Sequence, residues 1–156
     1  MPFYFAYGSN MNPQRVRDRG LAVLDSMPGR LPGMGLRFNK RSRHNPNWAC
    51  ANIVYAPGEA VEGVLYRLAD HGQIRLMDPF EGAPRYYSRE RFTVITSSGE
   101  QPAWTYVANP AVIDNRIRPL PWYLGQLLEG RAYLSPDYLE WLKATPCCDD
   151  DHAGWG

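Results

Sequence analysis

Glu81 is the acidic side chain whose surroundings best suit proton transfer. It lies in segment 78–82, which contains a proline and a glycine, and a tyrosine pair follows at 86–87. Aromatic neighbours exclude water and penalise an ionised carboxylate, which favours a proton carrier near neutral pH. The alternative is a loop glutamate paired with Arg85 or Arg89, and composition alone favours this alternative.

The N-terminal segment 3–13 could supply hydrogen-bond donors to a second part of a site. Its aromatic residues 3–7 favour a strand, which ends in the Gly-Ser-Asn turn at 8–10. Asn12 is a good N-cap and Pro13 suits the first helical position, so we expect a strand, a tight turn and a helix. Such a turn can hold an anion or a carbonyl oxygen acquiring charge. The alternative is a turn that simply needs a glycine.

Other catalytic chemistries have weaker support in the sequence. Ser9 as a nucleophile would need a base, and the histidines at 44, 71 and 152 fall in predicted loops or helix starts. No G-x-S-x-G motif surrounds the serine, and neither nucleotide-binding glycine motif is present. We therefore do not expect a Ser-His-Asp hydrolase or a nucleotide cofactor.

Three cysteines, Cys50 and the adjacent pair Cys147-Cys148, make a poor disulfide framework. This usage agrees with a reducing compartment. The Cys-Cys-Asp-Asp-Asp-His run at 147–152 superficially offers metal ligands, but adjacent cysteines lack the usual C-x₂-C spacing. We expect residues 146–156 to form a polar, frayed tail with no metal site.

The length of 156 residues favours one domain, which we place at residues 1–145. No apolar tract approaches the roughly 20 residues of a membrane span, and the N-terminus lacks the pattern of a secretory signal. The expected location is therefore the cytoplasm, without a membrane partner. Through Arg43 there are eight Lys/Arg against two Asp, but no dense basic run with stacking aromatics. We consequently expect no nucleic-acid partner.

The predicted elements give an α+β fold with a largely antiparallel or mixed sheet, possibly curled into a barrel of about six strands flanked by short helices. Proline and glycine predict a loop at 27–35 and a break in regular structure at 78–84. Strands are predicted at 3–7, 36–38, 49–55, 61–68, 86–96 and 103–107, with a turn at 57–58. Helices are predicted at 13–19, 71–77, 119–128 and 136–143, the last with Ser135 as N-cap.

Tyr123 follows Pro119-Leu120-Pro121-Trp122, at the start of a predicted helix. Its hydroxyl could enter a pocket, but aromatic residues at such positions usually serve helix packing. The same two interpretations apply to Tyr7 and Tyr106.

Two separated stretches together resemble a known enzyme family. They are Tyr7-Gly8-Ser9-Asn10-Met11 after an N-terminal strand, and Leu76-Met77-Asp78-Pro79-Phe80-Glu81-Gly82 followed by Tyr86-Tyr87. Weaker matches are Glu62–Tyr66, Thr105–Val107 and Pro121-Trp122-Tyr123. In this order and spacing they resemble the γ-glutamylcyclotransferase-like family, over about residues 3–143.

The resemblance implies a small mixed β-barrel and an intramolecular aminolysis. The α-amine of a γ-glutamyl compound attacks its own γ-carbonyl, which gives 5-oxoproline and a free amine or amino acid. The family's acid/base glutamate corresponds to Glu81, and its tyrosine before the last helix to Tyr123. The substrate-holding loop corresponds to Tyr7, Gly8, Ser9, Asn10, Met11 and Asn12.

The same resemblance implies no metal, nucleotide or other cofactor, and a monomer or homodimer whose partner is a small γ-glutamyl substrate. Family members act on γ-glutamyl amino acids, glutathione or γ-glutamylamines, serve antibiotic biosynthesis, or have no established activity. The Tyr-Gly-Ser-Asn form and the C-terminal helix favour the amino-acid-type branch. The alternative is a binding or regulatory member without turnover. The basic segment through Arg43 matches no part of the family pattern.

Overall fold

A computed structural model describes residues 2–149 of the chain. Its strands are β1 (Phe3–Ala6), β2 (Val23–Arg41), β3 (Ala49–Leu68), β4 (Tyr87–Thr96) and β5 (Gly99–Ala108). Its α-helices are α1 (Pro13–Asp18), α2 (Ile74–Glu81), α3 (Pro121–Leu128) and α4 (Pro136–Lys143). Single-turn 3₁₀ helices lie at Ser9–Met11, Pro110–Val112 and Arg131–Tyr133.

The strands form a closed barrel in the order β1-β3-β2-β4-β5. Neighbouring strands are antiparallel except β1 and β5, which pair in parallel at Tyr4 and Trp104. The α+β class and the mixed barrel are thus confirmed. Within residues 2–149 the sheet has five strands rather than about six.

The strand count differs because two long strands continue through segments that contain proline and glycine. The predicted strands 49–55 and 61–68 are one strand, β3, and β2 runs through the predicted loop 27–35. In the β2–β3 ladder, Pro32 pairs with Ala60 and Met34 with Tyr55, so residues 56–59 lie opposite a single glycine. The turn expected at 57–58 is therefore a bulge within one long hairpin. Bulge positions tolerate proline and glycine, which a regular ladder disfavours.

Helix α2 also differs from prediction, because it includes the segment that proline was expected to break. It begins at Ile74 and ends at Glu81, with Pro79 inside it. Gly82 follows with φ 67°, the left-handed conformation that commonly ends a helix. The consequence for function is that Glu81 occupies the last position of a helix rather than a loop.

The starts of α1 and α4 agree with the sequence. The Asn12 side chain accepts a hydrogen bond from the Gln14 N–H, and Pro13 is the first helical residue. Ser135 caps α4 by accepting from the Tyr138 N–H, ahead of Pro136. Both caps satisfy backbone donors that have no partner inside the helix.

The described part of the tail lies against the barrel domain. The Cys148 N–H donates to the Pro119 carbonyl at 2.9 Å, and both cysteines at 147–148 are half-buried against the core. Residues 150–156, which include most of the predicted Asp-rich tail, lie outside the described residues. Within the described range, no helix is both long enough and apolar enough to cross a membrane.

Candidate active site

A cavity of about 30 Å³, here called the aromatic chamber, lies where the turn after β1 meets α2 and α3. Its walls are mainly tyrosine side chains and the turn 8–10, and Glu81 lines it as well. The lining residues are Tyr4, Phe5, Tyr7, Gly8, Ser9, Asn10, Ala51, Glu81, Tyr87, Thr105, Tyr106 and Tyr123. The structure thus brings together, in one chamber, the turn and the glutamate that the sequence singled out.

Glu81 contacts the turn directly, although the two are 71 residues apart in sequence. The Asn10 Nδ2 donates to Glu81 Oε1 at 2.9 Å, and Arg19 Nη1 lies 3.8 Å from the same oxygen. The alternative prediction paired Glu81 with Arg85 or Arg89, but neither arginine forms an ion pair with it. Arg89 pairs with Asp78 at 2.9 Å instead. Asn10 of the turn and Arg19, the residue that follows α1, hold the glutamate, and its side chain is only 17% exposed.

Burial raises the pKa of Glu81 above that of an ordinary carboxyl, because the ionised form loses hydration. The positive charges of Arg19 and Lys40, and less strongly Arg15 and Arg43, act in the opposite direction. The resulting group is a carboxyl whose pKa is shifted towards neutrality while hydrogen-bond partners fix its position. Both properties suit a side chain that accepts and returns a proton.

Asn10 is held from several sides, so the turn has a defined shape. Its Nδ2 also donates to the Tyr4 hydroxyl at 2.8 Å, and its Oδ1 accepts from Arg19 at 3.1 Å. The Tyr66 hydroxyl donates to the Asn10 carbonyl at 2.6 Å. Asn10 lies within the short helix Ser9–Met11, whose first backbone N–H groups have no intrahelical acceptors.

Tyr123 enters the chamber from the first turn of α3, which packs against the short helix Ser9–Met11. Its hydroxyl accepts from the Ala51 N–H at 2.8 Å, and a Cβ on Gly8 would lie 3.2 Å from that hydroxyl. Glycine at position 8 therefore leaves room for the tyrosine. Burial raises the pKa of Tyr123, so its hydroxyl stays protonated at neutral pH.

Tyr7 is buried and its hydroxyl donates to the Tyr106 carbonyl, so it is a fixed part of the chamber wall. Tyr106 in turn donates to Asp78 Oδ1 at 2.6 Å. Tyr7 and Tyr106 therefore fit both interpretations, because each packs in the core and also lines the chamber.

The structure does not place Met11 and Asn12 at the chamber, although the resemblance assigned both to substrate binding. Met11 is fully buried and packs beneath Gly130. Asn12 caps α1 with its Oδ1 and donates from Nδ2 to Gln126 at 3.0 Å. The chain turns into helix α1 at this point, and neither side chain is among the residues that line the chamber.

A second cavity of about 50 Å³, here called the basic chamber, adjoins the first. Four residues, Ser9, Glu81, Tyr87 and Tyr123, line both chambers. The other lining residues are Arg15, Arg19, Lys40, Arg43, His44, Cys50 and Phe80. Burial raises the pKa of the Cys50 thiol to about 12, so this cysteine is not a thiolate at neutral pH.

Sequence reasoning missed the cationic residues of the site and the tyrosines Tyr4 and Tyr87. The excess of basic residues before Arg43 was the available signal for the cations, but nothing local assigned it to a cavity. No cluster of three or more potential metal-ligating His, Cys, Asp or Glu side chains occurs within residues 2–149.

Comparisons with known proteins agree with this geometry. A family model described as "Gamma-glutamyl cyclotransferase, AIG2-like" matches residues 4–124. A search of curated proteins found no match.

Solved structures resemble the chain over nearly its whole length. An uncharacterized protein from Homo sapiens is 26% identical with a TM-score of 0.82, covering 96% of this chain and 90% of that one. A structure described as a gamma-glutamyl cyclotransferase is 25% identical, also with a TM-score of 0.82, covering 98% and 93%. YkqA from Bacillus subtilis, at 24% identity and a TM-score of 0.79, shares the fold over 94% of this chain and 56% of its own.

Proposed function

The chain belongs to the gamma-glutamyl cyclotransferase, AIG2-like family, and from that premise we propose that it converts a γ-glutamyl compound into 5-oxoproline and a free amine or amino acid. The observation that carries the proposal is the 2.9 Å contact between Asn10 and Glu81 at the wall of the aromatic chamber. It joins a partly desolvated carboxyl to a turn whose first backbone N–H groups have no acceptor within their own short helix. A non-catalytic binding member of the fold would not need such a carboxyl.

The reaction we propose needs the protein chiefly to orient one molecule. The attacking α-amine and the γ-carbonyl belong to the same substrate, so folding it into the attack conformation removes most of the entropic barrier. The aromatic walls of the chamber exclude water from the reacting groups. In this scheme Tyr7 and Tyr123 shape the wall against which the glutamyl chain bends.

Glu81 is the proposed proton carrier. In this scheme the substrate α-ammonium first releases one proton to solvent, and the resulting neutral amine attacks the γ-carbonyl carbon. As the new C–N bond closes the five-membered ring, the Glu81 carboxylate takes a second proton from the ring nitrogen. The protonated Glu81 then gives this proton to the leaving nitrogen as the original C–N bond breaks. Its pKa, raised by burial and restrained by Arg19, suits both halves of this cycle.

The turn 8–10 is the proposed site for negative charge. The γ-carbonyl oxygen becomes an oxyanion during attack, and preorganised donors stabilise such charge more than water does. The backbone N–H groups of Ser9 and Asn10 open a short helix and lie at the chamber wall. We assign them to this oxygen or to the substrate α-carboxylate.

The experiment that tests the activity is a product assay. The purified chain is incubated with γ-glutamyl dipeptides and γ-glutamyl alkylamines, and 5-oxoproline is measured by mass spectrometry. We expect 5-oxoproline together with an equal amount of the released amine. The α-glutamyl isomers serve as the control, because they present no γ-amide and should give no product. Binding of γ-glutamyl compounds without any 5-oxoproline would instead identify a non-catalytic member.

A further inference from the structure

Asp78 of helix α2 accepts hydrogen bonds from two strands of the barrel. The Tyr106 hydroxyl of β5 donates to Asp78 Oδ1 at 2.6 Å, and Arg89 Nε of β4 donates to the same oxygen at 2.9 Å. The Tyr106 hydroxyl also lies 3.4 Å from the Ile74 carbonyl oxygen, one turn earlier in the helix. These contacts attach α2 to the barrel wall at the turn that carries Glu81.

Both donors to Asp78 are themselves held in place. Tyr106 is buried, and its ring packs edge-on against the Tyr4 ring, with the two centroids 5.9 Å apart. Arg89 lies over the Trp104 ring, with its guanidinium carbon 4.5 Å from the ring centre. Asp78 is therefore bound to two groups whose positions the barrel defines.

The last turn of α2 has fewer backbone hydrogen bonds than a regular helix, because it contains a proline. Pro79 has no N–H to donate to the Arg75 carbonyl, so the backbone ladder is interrupted just before Glu81. Gly82 then ends the helix in a left-handed conformation. The Asp78 side chain supplies a tertiary contact at the point where the helix itself offers less support.

This contact bears on Glu81, because residues three apart in a helix project from neighbouring positions on its surface. A small shift of the last turn would carry Glu81 away from Asn10, whose Nδ2 donates to it at 2.9 Å. We propose that Asp78 and its two donors form a positioning cluster that sets the place of Glu81 in the aromatic chamber. This cluster, here called the Asp78 clamp, consists of Asp78, Arg89 and Tyr106. Its effect on turnover rests on the proposed function, whereas its effect on the position of Glu81 does not.

The groups that face Glu81 determine how its pKa responds when the clamp is loosened. Burial is the largest influence and raises the pKa, while four cations lower it. These cations are Arg19, Lys40, Arg15 and Arg43, and His44 also lines the basic chamber. Burial raises the pKa of the neighbouring thiol and phenols, so they stay neutral at neutral pH; they are Cys50, Tyr4, Tyr7, Tyr87, Tyr106 and Tyr123. Loosening the clamp admits water to Glu81, and its pKa then falls towards the ordinary carboxyl value.

Tyr106→Phe tests the clamp, because it removes one hydroxyl, keeps the ring and changes no charge. We expect kcat to fall about 10- to 100-fold while KM changes less than about threefold, since a misplaced proton carrier slows turnover more than it weakens binding. The acid limb of the kcat/KM pH profile should move to lower pH by roughly 0.5–1 unit, because the base remains ionised to lower pH. A folded Tyr106→Phe protein with the wild-type kcat and acid limb would overturn the proposal.

Ser135→Ala distinguishes positioning from a general loss of stability. It removes the side-chain N-cap of α4, a residue that lines neither chamber. Loss of a cap destabilises a fold about as much as loss of a buried hydrogen bond. We expect both variants to unfold more easily than the wild type, but Ser135→Ala should keep the wild-type kcat and acid limb. Equal changes of kcat and acid limb in the two variants would reduce the clamp to a merely structural contact.

Two substitutions of Asp78 test the acceptor itself, and they decide between the alternatives even if Tyr106→Phe does not fold. Both donors converge on Oδ1, where the amide oxygen of Asn can replace it, whereas Ala offers no acceptor. Both variants lack the carboxylate charge, so their comparison isolates the hydrogen bonds. We expect the kcat of Asp78→Asn to exceed that of Asp78→Ala at least about fivefold. The same kcat in both variants would contradict the clamp.

A titration of Glu81 separates this inference from the proposed activity. The ¹³C NMR signal of the Glu81 carboxyl carbon, assigned by its absence in Glu81→Gln, reports the pKa without any substrate. A lower Glu81 pKa in Tyr106→Phe, with no 5-oxoproline from the wild type, would retain the clamp and reject the cyclotransferase activity. Production of 5-oxoproline by the wild type, with the same Glu81 pKa in both proteins, would retain the activity and reject the clamp.

Discussion

Glu81 experiences two opposing influences on its pKa, and their balance defines its proposed role. Burial in the aromatic chamber raises the pKa, while Arg19 and the other cations restrain the rise. A carboxyl under burial alone would stay protonated and could not accept a proton, and a fully paired one would return it poorly. The ion pair with Arg19 is long, at 3.8 Å, so Arg19 offsets only part of the rise in the Glu81 pKa that burial causes.

The first prediction concerns this balance. Replacing Arg19 with Gln removes the largest influence that lowers the Glu81 pKa, so that pKa rises further. Because the proposed base must be ionised, activity falls as pH drops through its pKa. The acid limb of the pH profile of kcat/KM, already expected above the usual carboxyl value of 4.5, should move up by roughly 1 pH unit.

Arg17→Gln is the matched control, because it removes an exposed arginine of α1, two residues before Arg19, that donates to Gln14 and does not line the chamber. Its pH profile should coincide with that of the wild type. An acid limb that stays in place in Arg19→Gln, or moves to lower pH, would contradict the role given to Arg19.

Some residues of the site could be predicted from the sequence, and others could not. Glu81 and the turn 8–10 were predicted together, because each belongs to a short pattern and the family resemblance links them. Arg19 and Lys40 were not, since a basic residue at a helix end or within a strand has the same local signature whether it faces solvent or a cavity. Their convergence follows from barrel closure, which no local pattern encodes.

At the scale of elements, the close approach of β1 to β3 positions the turn. The Gly63 position on β3 faces the end of β1, and a Cβ there would overlap the carbonyl oxygen of Ala6. Ala6 pairs with Val64, and the chain then leaves the sheet to form the turn. The glycine thus permits the strand contact that places residues 8–10 at the chamber.

We therefore predict that Gly63→Ala destabilises the fold. The added methyl must displace backbone rather than a flexible side chain, so we expect a loss of about 1–3 kcal/mol in the free energy of unfolding. Urea denaturation followed by circular dichroism measures it. Gly125→Ala is the control: outside the backbone of α3, no atom of residues 2–149 lies within 4 Å of its Cβ position, and the substitution should stabilise by about 0.5–1 kcal/mol. Equal effects of the two substitutions would refute this account of Gly63.

The helices that begin with a strong N-cap could be predicted from the sequence, whereas the helix and the strand that contain prolines could not. Asn12 and Ser135 mark their helices through local side-chain bonds. Pro79 lies within α2, and prolines at 28 and 32 lie within β2, where packing and bulges outweigh the local preference against proline. The same override explains why Glu81 was expected in a loop.

At the scale of the whole molecule, barrel closure depends on a seam between β1 and β5 that has little backbone pairing. Tyr4 and Trp104 form the backbone pair between these two strands. Side chains supplement it: the Thr105 hydroxyl donates to the Phe5 carbonyl at 2.8 Å, and Tyr7 donates to the Tyr106 carbonyl. The seam borders the aromatic chamber, so closing the barrel also builds the site.

Thr105→Val tests the contribution of this seam. Valine has nearly the same shape but cannot donate to Phe5, so the buried carbonyl loses a partner and unfolding should require about 1–3 kcal/mol less. Thermal and urea unfolding measure the change. Thr93→Val, at an exposed position of the neighbouring strand β4, should change stability by no more than about 0.5 kcal/mol. If Thr105→Val lowered the free energy of unfolding no more than Thr93→Val, barrel closure would not depend on the Thr105 hydroxyl.

The most direct test of the central claim is 5-oxoproline production by Glu81→Gln. Glutamine can still accept the Asn10 hydrogen bond but cannot carry the proton, so the variant should fold and bind γ-glutamyl dipeptides. We predict that its kcat falls by about 10²- to 10⁴-fold, while Glu140→Gln, on the exposed face of α4, keeps the wild-type rate. A folded Glu81→Gln protein that produced 5-oxoproline at the wild-type rate would contradict the account.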